Sequence, residues 1–442
     1  MEHFGRAARD AEPRRRRRPD RADAAAATRH RRGRRSRLAA RQPGERRRSG
    51  GVHPRRSGRH GGGAAMTGHR LVLVGGGHAH VQVIRALAQR PEPGMAITLV
   101  TDRLLTPYSG MLPGHVAGLY SHAEMHIDLG RLAEVCGVTL VRSAAAAIDR
   151  ARRTLTTEDG ASVPYDTLSL NVGITPDLSG IAGAEQHGIP VKPISSFIAR
   201  LDALLEAAAR AGGPRRIVLV GGGAAGVELA LALKARLTGL DPKGRPFWIG
   251  LAASNGLVAT LNDGVRRRAR AALARHGVTL LDDFRVVEIN AQGLRAQDKR
   301  FVTADAVLVS TAARAPSWLA TTGLPTDRHG FVQTTRSLTC IDDPAVFAVG
   351  DCATVAEDPT PKAGVFAVRQ GAALTANLRH RARGEALAPH RPDRNYLTIL
   401  MTGDGSAIAG RGGWFAVEGR WVWRWKDWID RRFMQRFSEF RR

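Results

Sequence analysis

IVLVGGGAAGVELALAL, residues 217–233, decides the fold. Four apolar residues lead into three glycines, and a long apolar helical pattern follows. That order is a strand, a tight turn and a helix whose first amides face the turn, the arrangement that holds a dinucleotide pyrophosphate. Gly221 suits the turn, Gly223 the close approach of backbone to phosphate, and Gly226 the contact between helix and strand. A second copy of the pattern, LVLVGGGHAHVQVIRAL, stands upstream at 71–87. Two such cradles in one chain imply two dinucleotides, each on a Rossmann-like α/β domain with a parallel sheet.

In the upstream cradle Gly75 and Gly77 fill the first two glycine roles, and a helix from Val81 offers its amides to the phosphates. The third role falls to His80, which predicts looser packing of helix on strand. His78, Ala79 and His80 sit where phosphate is contacted; the two histidines touch phosphate, fill space or act in catalysis. The next strand, AITLVTD (96–102), ends on Asp102, an acid that either meets ribose hydroxyls or is solvated. TPYSGMLPGHVAG (106–118) reads as a loop and short helix running under the ligand. YDTLSLNVGITP (165–176) supplies the strand that closes the first lobe.

Beyond the second cradle, with its Glu228, the strand FWIGLAAS (247–254) ends without the acid that favours NAD. No arginine stands at that end for a 2′-phosphate either, so these residues do not separate NADH from NADPH. VFAVGD (346–351) is a strand whose terminal Gly350 and Asp351 leave two readings: Asp351 accepts hydrogen bonds from ligand hydroxyls, or it caps the turn that follows. The helix after PKAG (361–364) points its amino end at a cofactor edge where negative charge develops. Lys362 beside it either adds to that stabilisation or is solvated.

Composition divides the chain. Residues 1–65 hold 21 Arg, no Lys and 6 acids, a net +15 of the chain's +27. With almost no aliphatic residues, this extension is expected to be disordered. A translation start at Met66 is preferred over a nucleic-acid-binding arm or a transit-like peptide, and no nucleic-acid partner is expected. No run of about 18 apolar residues exists to span a membrane. The 3 cysteines, Cys136, Cys340 and Cys352, share no short spacing, so neither a zinc site nor a redox dithiol is suggested. Their scarcity fits the cytoplasm.

Five of the 7 tryptophans crowd into residues 414–428. Trp421, Trp423 and Trp425 alternate as in a strand. From Trp425 the spacing turns helical, with Trp428, Ile429, Phe433, Phe437 and Phe440 on one face and basic residues on the other. Two readings stand. Residues 419–442 lie peripherally on an anionic membrane, at its inner face, or the stripe docks on the first domain and completes its core.

Taken together, VGGGHAHV (74–81), TPYSGMLPG (106–114), VKPISSF (191–197), GGGAAGVE (221–228), VFAVGDCA (346–353), PKAGVFAVRQG (361–371) and GRWVWRWKDWIDRRFM (419–434) carry a resemblance. From residue 66 on, the chain resembles the pyridine nucleotide-disulfide oxidoreductase superfamily. Within it the chain is most similar to the flavoprotein module found fused to selenophosphate synthetase, a relative of type II NADH dehydrogenases. The resemblance implies FAD at the first cradle with Asp351, and NAD(P)H at the second. It places Gly364, Val365 and Phe366 beside the flavin, and Arg369 and Gln370 where a quinone approaches. The implied organisation is an FAD domain split over 66–177 and 300–390, an NAD(P) domain at 178–299, and a C-terminal segment at 391–442. The expected enzyme passes hydride from NAD(P)H to FAD and electrons on to a quinone. The alternatives are a reductase of a small electron-carrier protein and a slow FAD-binding redox sensor or scaffold. The oligomeric state stays open.

Overall fold

The computed structural model describes residues 68–240, 246–311 and 313–438. The basic extension 1–65 and Met66 lie outside the described residues, as does Phe440.

The first sheet has eight strands, in the order Ala353–Val355, Val332–Thr334, Thr339–Cys340, Asp343–Ala348, Thr167–Leu170, His69–Val74, Met95–Val100 and Thr139–Val141. The five strands from Asp343–Ala348 to Thr139–Val141 pair in parallel. Helices cover a parallel sheet, which is why Leu71–Val74 reads as an unbroken apolar run and is buried throughout. Val74 faces Val100 on one side and Leu170 on the other, so the first cradle opens at a switch point of strand order.

The second sheet is wholly parallel: Gly188–Pro190, Ala306–Val309, Arg216–Val220, Trp248–Ala253 and Val278–Asp282. Ala306–Val309 pairs beside Arg216–Val220, so this lobe runs past the expected boundary at 299/300 to residue 309. The chain crosses between lobes on two short antiparallel segments, with Thr175 opposite Arg314 and Pro176 opposite Ala313.

The C-terminal segment begins as a three-stranded meander, Thr398–Met401, Ala407–Arg411 and Phe415–Gly419. A helix, Arg420–Ser438, follows at once. Trp421, Trp423 and Trp425 are therefore helical, contrary to the strand reading. The alternation concealed a four-residue period: Trp421 stacks on Trp425 at 6.4 Å, and Val422 and Lys426 are buried behind them. The expected apolar face is also rotated, since Trp428 is 57% exposed. The buried stripe instead contains Lys426 and Asp430, ion-paired at 2.6 Å, with Phe433, Met434 and Phe437 below. This face docks on the first lobe. Phe433 stacks on Tyr108 at 4.6 Å, Lys426 donates to the Gly110 carbonyl at 2.6 Å, and Tyr120 donates to Asp427 at 2.7 Å. Among the described residues no helix is long and apolar enough to cross a membrane.

Candidate functional site

The first cradle is built around Asn171, at the end of the adjoining strand. Gly75 takes a left-handed backbone (φ +88), and a Cβ there would lie 2.5 Å from the Asn171 carbonyl oxygen. A Cβ on Gly77 would lie 2.5 Å from the Asn171 side chain. The helix starts at His78, three residues earlier than expected, with Gly77 as its N-cap and no side chain capping it. Its free amides face the turn.

His80 does not loosen this packing. Its ring is fully buried; Nδ1 lies 2.7 Å from the Gly75 carbonyl oxygen and Nε2 2.8 Å from Ser169 Oγ. Nδ1 must donate to the carbonyl, so Nε2 accepts from the hydroxyl, and the imidazole is neutral. Burial pushes it down to about 4. A ring sealed in this way bridges turn and sheet and has no access to a reacting group.

A cavity of about 400 Å³ opens over the cradle. Gly75, Gly77, His78, Asp102, Asp351 and Gly364 all line it, as do Asn171, Lys192 and Ser109. Two buried polar atoms on this wall, His78 Nε2 and Asn171 Nδ2, have no hydrogen-bond partner among the described residues. Unpaired buried polar atoms on a glycine-walled cavity fit a polar, phosphate-bearing ligand. Burial pushes His78 down to about 4, so it faces the cavity neutral. Asp102 is exposed at the rim and pairs with Arg103 at 3.3 Å.

Asp351 does not cap a helix. Lys192 Nζ donates to it at 2.9 Å, inside the cavity wall. Lys192 lies within the VKPISSF string, which carried family likeness but had shown no role. The long helix Gly364–Arg383 also begins without a side-chain cap, and Gly364 lines the cavity; a Cβ there would lie 2.8 Å from Ser109 Oγ. Its uncapped amino end is thus aimed at the site, as expected.

Several expected residues do not line this cavity. Lys362 donates to the Ala353 carbonyl and, at 2.9 Å, to Thr354 Oγ1, and its ammonium sits 4.0 Å over the Phe331 ring. Gln370 is buried and accepts from the Gly350 amide at 2.6 Å, which secures the turn before Asp351. Arg369 pairs with Asp393 at 3.2 Å. Phe366 packs edge-on to Tyr396, and neither it nor Val365, Lys362, Arg369 or Gln370 lines the cavity. Ala367, one helical turn in, does.

The second cradle keeps all three glycines. Gly221 has φ +127, and a Cβ on Gly226 would collide with the Gly221 carbonyl oxygen. A Cβ on Gly223 would meet nothing within 4 Å, so this turn opens onto free space where a phosphate can approach. Glu228, one turn into the helix, is directed away. It is half-buried and accepts from the Met401 amide of the C-terminal meander at 3.0 Å. Burial pushes its carboxyl up to about 7, against the pull of Lys426. Cys136, Cys340 and Cys352 are buried, and none of them is in a disulfide.

The family described as pyridine nucleotide-disulphide oxidoreductase matches residues 69–371. A probable ferredoxin reductase, CtmF, of Castellaniella defragrans is 28% identical over 296 residues, 64% of this chain and 67% of the relative. An NADH dehydrogenase-like protein of Mycobacterium tuberculosis is 27% identical over 304 residues, 65% of this chain and 74% of the relative. Among solved structures, the sulfide:quinone oxidoreductase of Aquifex aeolicus superposes with a TM-score of 0.71 at 18% identity, covering 84% of this chain and 92% of that one. NDH2 of Plasmodium falciparum in complex with NADH gives 0.69 at 11% identity, covering 83% and 98%. These structural likenesses concern the fold. The matches reach the family, not the synthetase-fused branch within it.

Proposed function

The chain belongs to the pyridine nucleotide-disulphide oxidoreductases and is an FAD-dependent NAD(P)H oxidoreductase, and we propose that it passes its electrons to a quinone. FAD, when bound, takes a hydride from the dihydronicotinamide and gives up electrons to the acceptor. The first cradle would hold it: the amides after Gly77 would meet the pyrophosphate, Asp102 the ribose, and Asp351 the hydroxyls of the linker chain. Lys192 orients Asp351 by its 2.9 Å contact. The amino end at Gly364 would stabilise negative charge on the reduced ring. His78, neutral and unpaired, would be a hydrogen-bond partner rather than a charge. Gly223 would admit the donor's pyrophosphate at the second cradle.

One observation carries the choice of acceptor. The C-terminal helix buries one face on Tyr108 and Gly110, which adjoin the cavity residues Pro107 and Ser109. The rest of this segment exposes Trp414 (87%), Trp421 (55%) and Trp428 (57%), together with Arg420, Arg424, Arg432 and Arg436. Exposed tryptophan among arginines suits the interface of an anionic bilayer, where a lipid-soluble acceptor resides. A second reading, transfer to a small acidic electron-carrier protein, is favoured by the ferredoxin reductase among the relatives and by the same basic surface.

The test uses FAD-loaded protein, anaerobic NAD(P)H, and two acceptors offered separately: ubiquinone in anionic liposomes and a soluble ferredoxin. Faster reoxidation by the quinone is expected. Trp421→Ser with Trp428→Ser should keep FAD and weaken liposome binding several-fold. Reoxidation by ferredoxin alone, indifferent to liposomes, overturns the quinone reading.

A further inference from the structure

In a Rossmann lobe the adenosine ribose lies over the carboxyl end of the second strand, where an acid binds a free 2′-hydroxyl and a cation accommodates a 2′-phosphate. Here that strand is Trp248–Ala253, and it runs out through Ser254 and Asn255, both exposed. No acid follows until Asp263, which pairs with Arg266 at 2.7 Å.

Read along the chain, the strand end also lacks an arginine. The fold supplies one from the next strand over. Val278–Asp282 runs parallel beside it with Asp282 opposite Ala253, and the Phe284 amide donates to the Ala253 carbonyl at 2.9 Å. This delivers Arg285 to the corner, where its guanidinium reaches Asn255 Oδ1 at 3.4 Å. Among the described residues Asn255 is its one side-chain hydrogen-bond partner, so most of the guanidinium's donors are uncommitted. Two neighbouring acids, Asp282 and Asp298, are occupied, while Asp283 exposes its carboxylate beside them. Arg270 holds Asp282 at 2.7 Å, and Arg300 holds Asp298 at 2.7 Å while donating to the Asp283 carbonyl and lying over the Phe284 ring. The Asn255 carboxamide and the planar Arg285 guanidinium thus meet beside the exposed Ser254, and the strand itself ends without an acid to bind a 2′-hydroxyl. That donor set suits a phosphate monoester.

We infer that Arg285, with Ser254 and Asn255, forms a 2′-phosphate site, and that the protein takes NADPH in preference to NADH. The inference rests on the second cradle being the donor site. It is tested on the FAD-loaded full chain by calorimetric titration with 2′,5′-ADP and with 5′-AMP, alongside the Kd values of NADPH and NADH. The 2′-phosphorylated probe is expected to bind on the order of tenfold or more tightly than 5′-AMP. Arg285→Gln should remove most of that ratio, and Ser254→Asp should invert it by repelling the phosphate and accepting the 2′-hydroxyl. Both side chains are exposed, so neither substitution threatens the fold. If the wild type binds the two probes equally, or the ratio survives Arg285→Gln, the 2′-phosphate site is refuted. Equal binding with NADH still reducing the flavin refutes the 2′-phosphate site and its specificity and leaves the donor site standing. Failure of both probes to bind refutes the donor site with it.

Discussion

The two cradles open on almost the same string, LVLVGGG and IVLVGGG, yet each brings its helix against its strand in a different way. In the second, contact is gained by absence: Gly226 has no Cβ, and the helix backbone reaches the Gly221 carbonyl. In the first, His80 occupies the same position and reaches past the turn to Ser169 in the neighbouring strand. Close approach of backbone to backbone and a bridging ring are two solutions to one steric problem. The missing third glycine therefore signals a different fastening, not a weaker cradle.

The largest effect should come from the cradle whose turn faces open space. Gly223→Val is expected to slow flavin reduction by NAD(P)H about 100-fold or more, because a side chain displaces the pyrophosphate from the amides. FAD content should stay intact. Wild-type reduction in stopped flow would mean the donor binds elsewhere.

Exchanging the fastenings tests the comparison directly. Gly226→Val should cost about 3 kcal/mol by forcing helix from strand. His80→Gly restores the three-glycine pattern, yet it should also cost about 3 kcal/mol, since it leaves a cavity and strips the Ser169 hydroxyl and the Gly75 carbonyl of their partner. Urea denaturation with flavin content measures both. An unchanged or stabilised His80→Gly protein would show that the imidazole merely fills space.

A smaller effect separates the cradles by pH. His80 is held near 4 in the fold and titrates near 6.5 when unfolded. Between those values the unfolded chain binds more protons, so this group's contribution is present above about 6.5 and is lost as pH falls. Glu228 is the reverse: its carboxyl titrates near 7 in the fold and 4.5 unfolded, so stability falls as pH rises through that window. The two slopes oppose, each at most about 1.4 kcal/mol per pH unit. Glu228→Gln should therefore steepen the loss of stability on acidification from pH 6.5 to 4.5. Denaturation midpoints across that range check the sign, and a shallower loss would place the Glu228 titration outside it.

The sequence by itself determined the fold class and the position of both glycine cradles. A parallel strand buried on both faces must be an apolar run, a pyrophosphate turn must be glycine, and both requirements act between residues close in the chain. Asp351 and Gly364 were legible for the same reason, lying at the ends of local patterns. The contacts of Lys362, Arg369 and Gln370 were not legible, because a polar residue beside a motif has several directions in which to point, and Thr354, Asp393 and the Gly350 amide decided them. Only the tertiary structure brought Lys192 to Asp351, Asn171 beneath both glycines of the first cradle, and Arg285 to the end of a strand it does not follow. It also settled the C-terminal helix, whose buried side holds the Lys426–Asp430 pair while three tryptophans of the segment remain outside. A side chain's charge and shape are written locally. Which distant backbone it meets depends on how sheets align and lobes pack, and no period of the sequence records that.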